Sequence, residues 1–351
     1  MRSKKLEQAV QFAIDHETPW TREITDKWGI HQQDPPPWNK LLGPVHARGP
    51  VSGTVALNGK TLTSWGEPDR ADLTFSIAKT YLALLAGVAH DRGLLLDVHE
   101  PVRVRVPGIG FEEGRNTRVT WAHLLQQTSE WEGAVFGVPD QADRYRIVQF
   151  QGTEAAGKKG DPRSLQTPGT YWEYNDVRIN RMALSLLQVW QKPLPRVLKD
   201  EIMDRIGASD SWQYHGYFNS GTVIKGKRVE SVSGGTRWGG GLWINTRDEA
   251  RFGYLFLRRG QWKGKQIISA NWIRMATTPA AIGPDYGYLW WLNTQRKQYP
   301  SAPASSFAAL GYGSNTIWID SAHDLIVVWR WHQDKSADEF FKRILAAVKA
   351  D

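Results

Sequence analysis

The chain has 351 residues, 41% of them apolar and 23% charged, with 44 basic against 36 acidic side chains and a net charge of +8. That length suits about two domains or one enzyme-sized unit, and the balance excludes disordered, collagen-like and coiled-coil chains. Cysteine is absent, which excludes a disulfide framework, a thiolate zinc site and a cysteine nucleophile.

The N-terminus starts basic, but Glu7, Gln8, Gln11 and Asp15 interrupt what would have to be the apolar core of a signal peptide. Leu6 to His16 reads instead as an amphipathic helix, with Leu6, Val10, Ala13 and Ile14 on one side. A cytoplasmic location is expected, and a periplasmic one only for a trimmed mature form. No run reaches the ~18 apolar residues of a membrane span. The basic residues are scattered, densest at Arg103/Arg105 and from Arg258-Arg259 to Lys265, and form neither a tail nor a long face. Nucleic acid is therefore not an expected partner.

Residues 1–49 read as an extension, continuing through Trp20 and Trp28 to Asp34-Pro35-Pro36-Pro37, where the proline run stops any helix. Strands follow at Gly53–Leu57 and Thr61–Trp65, flanking Asn58-Gly59, a type I′ hairpin signal. Asp72 to Phe75 then leads into a helix over Ser76–Arg92, with Gly93 as its stop. Further helices are predicted at Trp121–Gln127 and Val177–Trp190. Strand patterns return at Gly241–Ile244, Leu289–Leu292, Thr316–Ile319 and Leu325–Trp331, and a helix covers Ala337–Lys349.

Strands at both ends and helices between them predict an α+β fold, an antiparallel sheet interrupted by a helical insertion. The expected division is an extension (1–49), a sheet domain (50–96 with 231–351) and a mostly helical domain (97–230), the active site lying at their junction. Because the terminal helix is expected to cover the sheet, the apolar stripe of the extension is expected elsewhere. It would lie across the domain junction near the pocket or against a second subunit, the latter giving a homodimer.

The chain lacks a G-x-S-x-G elbow and a Walker loop, and Gly108-Ile109-Gly110 with Gly114 misses the dinucleotide fingerprint by one residue. Its nine histidines are dispersed, with no H-x-x-x-H pair, so neither a metal nor a cofactor is expected. What remains is Ser76-Ile77-Ala78-Lys79. Serine and lysine three apart at a helix start share one face, where first-turn N–H groups favour an alkoxide and a neutral lysine. A chain of this length holds roughly one S-x-x-K by chance, so the surroundings must decide.

Phe75-Ser76-Ile77-Ala78-Lys79-Thr80, followed by a helix ending Asp91-Arg92-Gly93-Leu94-Leu95-Leu96-Asp97, resembles the serine β-lactamase and penicillin-binding-protein superfamily. The likeness is greatest to its class C-like branch, which includes esterases and amide hydrolases. Four further segments fit in order: Val119 to Ser129, Pro168-Gly169-Thr170 through Tyr174-Asn175-Asp176, Gly240 to Gly253, and Gly311-Tyr312-Gly313-Ser314-Asn315. The resemblance spans about 50–349 and implies a β-lactamase/transpeptidase-like fold.

It also implies roles. Ser76 would be the nucleophile, Lys79 its proton partner and Tyr174 the second acid or base. The oxyanion hole would be the backbone N–H of Ser76 with that of Asn315, or of Ser314 one residue earlier. Tyr312, Gly313, Ser314, Asn175, Asp176, Trp131 and Trp172 are the candidate substrate-binding residues, the two tryptophans as pocket walls. Three positions depart from the pattern. Glu130 replaces a glycine, Tyr312 stands where β-lactamases carry lysine, and Asp176 stands where they carry asparagine. Pointing inward, Asp176 would repel a substrate carboxylate; pointing outward, it would leave its place to Asn175 or solvent. Either way, antibiotics with a free carboxylate are expected to be poor substrates.

The expected function is a serine hydrolase that cleaves a small ester or amide through an acyl-enzyme on Ser76. The alternatives are a D-amino-acid peptidase or β-lactamase, and a catalytically silent homologue that binds ligands.

Overall fold

The computed structural model describes residues 4–25, 34–148, 157–283 and 285–348. Trp28 and Lys349, named above, lie outside them. Helix α1 (Lys4–Asp15) comes first. Strands β1 (Ser52–Leu57) and β2 (Lys60–Trp65) form a hairpin closed by Leu57 opposite Lys60. Asn58 and Gly59 both take positive φ, 50° and 74°, as a type I′ turn requires. After β3 (Asp72–Leu73), a single 3₁₀ turn at Phe75–Ile77 runs directly into α2 (Ala78–Asp91). Helix α2 is buried from Ala78 to Ala89, so it is packed on all sides and cannot shift without disturbing the whole core.

Next come α3 (Trp121–Leu125) and α4 (Asp176–Trp190). Strands β4 (Gln213–Ile224), β5 (Lys227–Val232) and β6 (Gly241–Ile244) lead to α5 (Thr246–Leu257). Strands β7 (Trp291–Leu292), β8 (Phe307–Gly311), β9 (Asn315–Asp320) and β10 (Leu325–Arg330) precede α6 (Ala337–Val348). The main sheet is antiparallel, in the order β7-β8-β9-β10-β1-β2, and a second sheet has the order β3-β6-β4-β5. This is the α+β architecture expected, with helices between the strands that open and close the main sheet. Among the described residues, no helix is long and apolar enough to cross a membrane.

Two features differ from the sequence expectation. Strand β4 is twelve residues long, and no strand was expected in this mostly helical stretch. Its alternation is broken by a register shift between Gly216 and Gly221, so the two-residue period that marks a strand is lost. The helix of the extension, though not the segment after it, also docks differently. Leu6, Ala9 and Ala13 of α1 join one apolar cluster with Phe340, Phe341 and Ile344 of α6 and with Val327 and Trp329 of the sheet. A six-stranded sheet is about 25 Å wide at ~4.8 Å per strand, whereas a helix spans ~10 Å, so the face holds both helices. Beyond α1 the chain turns toward the opposite side. Thr18 N–H donates to the Trp331 carbonyl at 2.7 Å, and Trp20 packs edge-on against Tyr312, with ring centroids 4.6 Å apart.

Candidate active site

Ser76 lies in the 3₁₀ turn that opens α2. The residue before it, Phe75, has φ +50°, a left-handed conformation that costs a non-glycine residue ~1–3 kcal/mol. Edge-on contacts with Trp20, Tyr312 and Trp331 hold it there. One turn on, Lys79 Nζ donates to Ser76 Oγ at 2.8 Å. The same nitrogen lies 2.7 Å from Asp176 Oδ1, with both side chains 1% exposed. Asp176 opens α4, where Asn175 is the cap. The Asn175 side-chain oxygen accepts from the N–H of Val177 and Arg178, and its nitrogen donates to the Asp140 carbonyl at 2.9 Å. Capping therefore turns Asn175 away and Asp176 toward the lysine.

The sequence left the direction of Asp176 open; it points inward, and its charge is not left alone. Arg146 lies 2.8 Å from its Oδ2 and 3.1 Å from Asp143 Oδ2, and Arg237 contacts Asp143 Oδ1 at 3.0 Å. Burial works against the charge on Arg146, but Asp176 and Asp143 outweigh it and raise its pKa above the ordinary value. Burial likewise works against Asp143, which Arg237 and Arg146 nevertheless hold below the usual carboxylate range. Asp34 pairs with Arg237 at 3.0 Å, while burial pushes its carboxyl up to about 7. An inward aspartate so flanked does not repel a substrate carboxylate as a lone anion would.

Tyr174 presents its ring to two cations, with Lys79 Nζ and Arg146 Cζ each 4.8 Å from the centroid, and stacks on Trp291 at 5.6 Å. A cavity of about 740 Å³ opens above this group. Its walls include Ser76, Tyr174, Asp176 and Tyr312 from the expected set, together with Arg146, Arg237 and Trp291. Burial pushes the Tyr312 phenol up to about 12, which leaves it neutral at physiological pH.

Other expected residues lie elsewhere. Trp131 does not line the cavity: its Nε1 donates to the Gly110 carbonyl at 2.8 Å, and Arg181 lies over its ring. Trp172 stands behind the wall, against Tyr286 and Trp291. Gly313, Ser314 and Asn315 are not wall residues either. Asn315 begins β9 opposite Gly311 and is fully buried; its side chain donates to the Tyr312 carbonyl at 2.9 Å and accepts from Arg330 Nε at 3.2 Å. Counting along the motif had carried the strand past the hairpin turn, which falls at 312–314, where Gly313 and Ser314 take positive φ. The residues of this strand end that line the cavity are Leu310, Gly311 and Tyr312. A Cβ on Gly311 would lie 2.0 Å from the Thr74 carbonyl oxygen, so this strand end is pressed against the segment that carries Ser76.

Glu130, the departure from glycine, keeps the left-handed backbone (φ +46°), and its buried carboxylate is held by Arg163 at 2.6 Å and Arg178 at 3.0 Å. Arg146, Asp143 and Arg237 were not singled out in the sequence. Asp143 and Arg146 lie three residues apart in one segment, but Arg237 comes from a distant one, and no local spacing joins it to them. Among the described residues, no three His, Asp or Glu side chains are gathered where they could hold a metal ion.

The Beta-lactamase family model matches residues 54–351. The fold resembles that of EstCE1, a hydrolase with promiscuous acyltransferase activity (15% identity, 98% of each chain, TM-score 0.63). It also resembles a penicillin-binding-protein homologue from Caulobacter crescentus (16% identity, 99% of this chain and 98% of that one, TM-score 0.62). A Bacillus anthracis protein provisionally named a 6-aminohexanoate-dimer hydrolase is similar as well (18% identity, 85% of this chain and 79% of that one, TM-score 0.62). At these identities the likeness is one of fold. An uncharacterized protein of Alkalihalophilus pseudofirmus is 31% identical over 109 residues, a match spanning 28% of this chain and about a third (32%) of that protein's length. By the family match across its sheet and helices, the chain belongs to the β-lactamase family, within the superfamily of serine β-lactamases and penicillin-binding proteins.

Proposed function

We propose that the chain is a serine hydrolase that cleaves a small ester or amide through an acyl-enzyme on Ser76. The observation that carries the reading is the 2.8 Å contact of Lys79 Nζ with Ser76 Oγ at the wall of the cavity. In this reading the ammonium of the resting Lys79–Asp176 pair first loses a proton. Oγ then attacks the substrate carbonyl as its proton passes to the neutral Lys79 amine, Lys79 hands a proton to the Tyr174 oxygen, and the Tyr174 hydroxyl gives its own to the leaving alcohol or amine. Water then repeats the sequence on the acyl-serine. The developing oxyanion would be held by the backbone N–H of Ser76 and one from the strand end at Gly311–Tyr312. Such a donor is typically worth ~3–4 kcal/mol of transition-state stabilisation.

The rings of Phe75, Tyr145, Tyr174, Trp291 and Tyr312 around the cavity favour an apolar acyl or leaving group. A pre-steady-state experiment with a p-nitrophenyl ester tests the reading. It expects a burst of one nitrophenol per chain, absent in Ser76→Ala. Turnover by the folded variant at the wild-type rate contradicts it. Parallel assays on a linear oligoamide decide between ester and amide.

A further inference from the structure

The ion pairs behind Lys79 do not end at Asp176. From the nucleophile outward they run Lys79, Asp176, Arg146, Asp143, Arg237, Asp34, alternating in sign, with steps of 2.7, 2.8, 3.1, 3.0 and 3.0 Å. Each carboxylate is divided between partners. Asp176 gives Oδ1 to Lys79 and Oδ2 to Arg146. Asp143 gives Oδ2 to Arg146 and to the backbone N–H of Asp176, and Oδ1 to Arg237 and Lys159. Asp34, whose side chain is fully buried, holds Arg237 and Lys159 through its Oδ1. Asp34 stands before β1, in the extension, and its carboxylate is the far end of a row that begins at Ser76.

We propose that Asp34 is a positioning residue for the Ser76–Lys79 pair, a reading that rests on Ser76 being the nucleophile. Arg237 already lies 3.8 Å from Asp176 Oδ2, and Asp34 is the anion that draws it the other way. Without that anion, Arg237 closes on Asp176 in competition with Arg146, and the carboxylate rotates away from Lys79. In a buried network such a displacement is poorly screened, so removing one member is felt along the row. Asp34, which lies before the residues 54–351 that the family model matches, thus supplies a part of the site.

The test is the acylation rate of the full chain at pH 8.5, where the Asp34 carboxyl is ionised, measured as the burst of nitrophenol from a p-nitrophenyl ester, in wild type, Asp34→Asn and Asp34→Glu. The expected result is a loss of about tenfold in Asp34→Asn, recovered by Asp34→Glu, which restores the charge. Acylation of Asp34→Asn at the wild-type rate overturns the proposal. So does a loss that Asp34→Glu fails to recover, because that marks packing rather than charge. If Asp34→Asn does not fold, the double variant Asp34→Asn/Lys159→Gln removes the anion together with its other cation, keeps the charge balance of the cluster and leaves Arg237 in place to close on Asp176. Wild-type acylation in the double variant overturns the proposal, and slowed acylation supports it. Absence of any Ser76-dependent nitrophenol release in the wild type would instead remove the underlying hydrolase reading, so the two failures are told apart.

Discussion

Asp176 Oδ1 lies 2.7 Å from Lys79 Nζ, and that nitrogen donates to Ser76 Oγ at 2.8 Å. The second oxygen of the same carboxylate is taken by Arg146 at 2.8 Å. Where an asparagine would offer the lysine a neutral amide, this chain offers a full negative charge and adds a second buried cation to balance it. Asp176 therefore brings a carboxylate to a cavity wall that Arg146 and Arg237 also line.

Asp176→Asn tests that role. The substitution leaves Lys79 and Arg146 without their shared anion, and breaking a buried pair from one side costs about 3–5 kcal/mol. Urea unfolding is expected to show a loss of that order. The cavity also becomes more positive, so KM for a carboxylate-bearing ester is expected to fall relative to its neutral analogue. Equal KM changes for the two esters would show that the charge of Asp176 does not reach the substrate.

Tyr174→Phe keeps the ring on which Lys79 and Arg146 rest and removes only the hydroxyl. If the hydroxyl carries the leaving-group proton, kcat is expected to drop by ~10²–10⁴. Stability should change by no more than about 1.5 kcal/mol. A variant with wild-type kcat removes Tyr174 from the proposed chemistry.

Gly311→Ala probes the strand end. Its added Cβ would meet the Thr74 carbonyl oxygen at 2.0 Å, a backbone atom that cannot swing aside, so β8 must move off the turn that carries Ser76. The expected result is a stability loss of about 1–3 kcal/mol with a larger proportional fall in kcat than in KM. A fully active, equally stable variant would show that the strand end does not contribute to the site.

How much of this was legible in the sequence follows from how local each feature is. Ser76 and Lys79 are one helical turn apart, and Tyr174 and Asp176 flank a cap, so short motifs carried them. The Asn58-Gly59 turn and the register of its hairpin were equally local. Asp34, Asp143, Arg146 and Arg237 come from three distant stretches, and nothing in the spacing of any one stretch marks them as partners. The strand residue beside Ser76 was expected at Asn315, whereas Gly311 and Tyr312 line the cavity, because the turn at 312–314 is set by backbone dihedrals, which residue types alone did not reveal. Trp131 was a fair candidate by position, but its indole N–H found a carbonyl away from the cavity.

His332 gives a pH test of the fold. It is buried against Trp329, with its ring nitrogens bonded to Thr316 Oγ1 and the Gln333 carbonyl, and burial pushes its pKa down to about 4. Unfolding restores the ordinary value near 6.5, so between these values the unfolded chain binds the extra proton. The contribution of His332 is complete above about 6.5 and is lost as pH falls toward 4, to a total of about 3 kcal/mol. Glu249, pushed up to about 7 by burial, slopes the opposite way, so wild type is compared with His332→Gln. The stability difference between them should shrink on acidification across that window. A difference constant with pH contradicts the assignment.

The central claim is that Ser76 is acylated. Intact-mass spectrometry after treatment with a fluorophosphonate, followed by peptide mapping, measures this directly. The account predicts one adduct per chain, carried by the peptide containing Ser76 and absent from a folded Ser76→Ala variant. A wild-type chain that takes no adduct, or a Ser76→Ala variant labelled to the same extent, would contradict it.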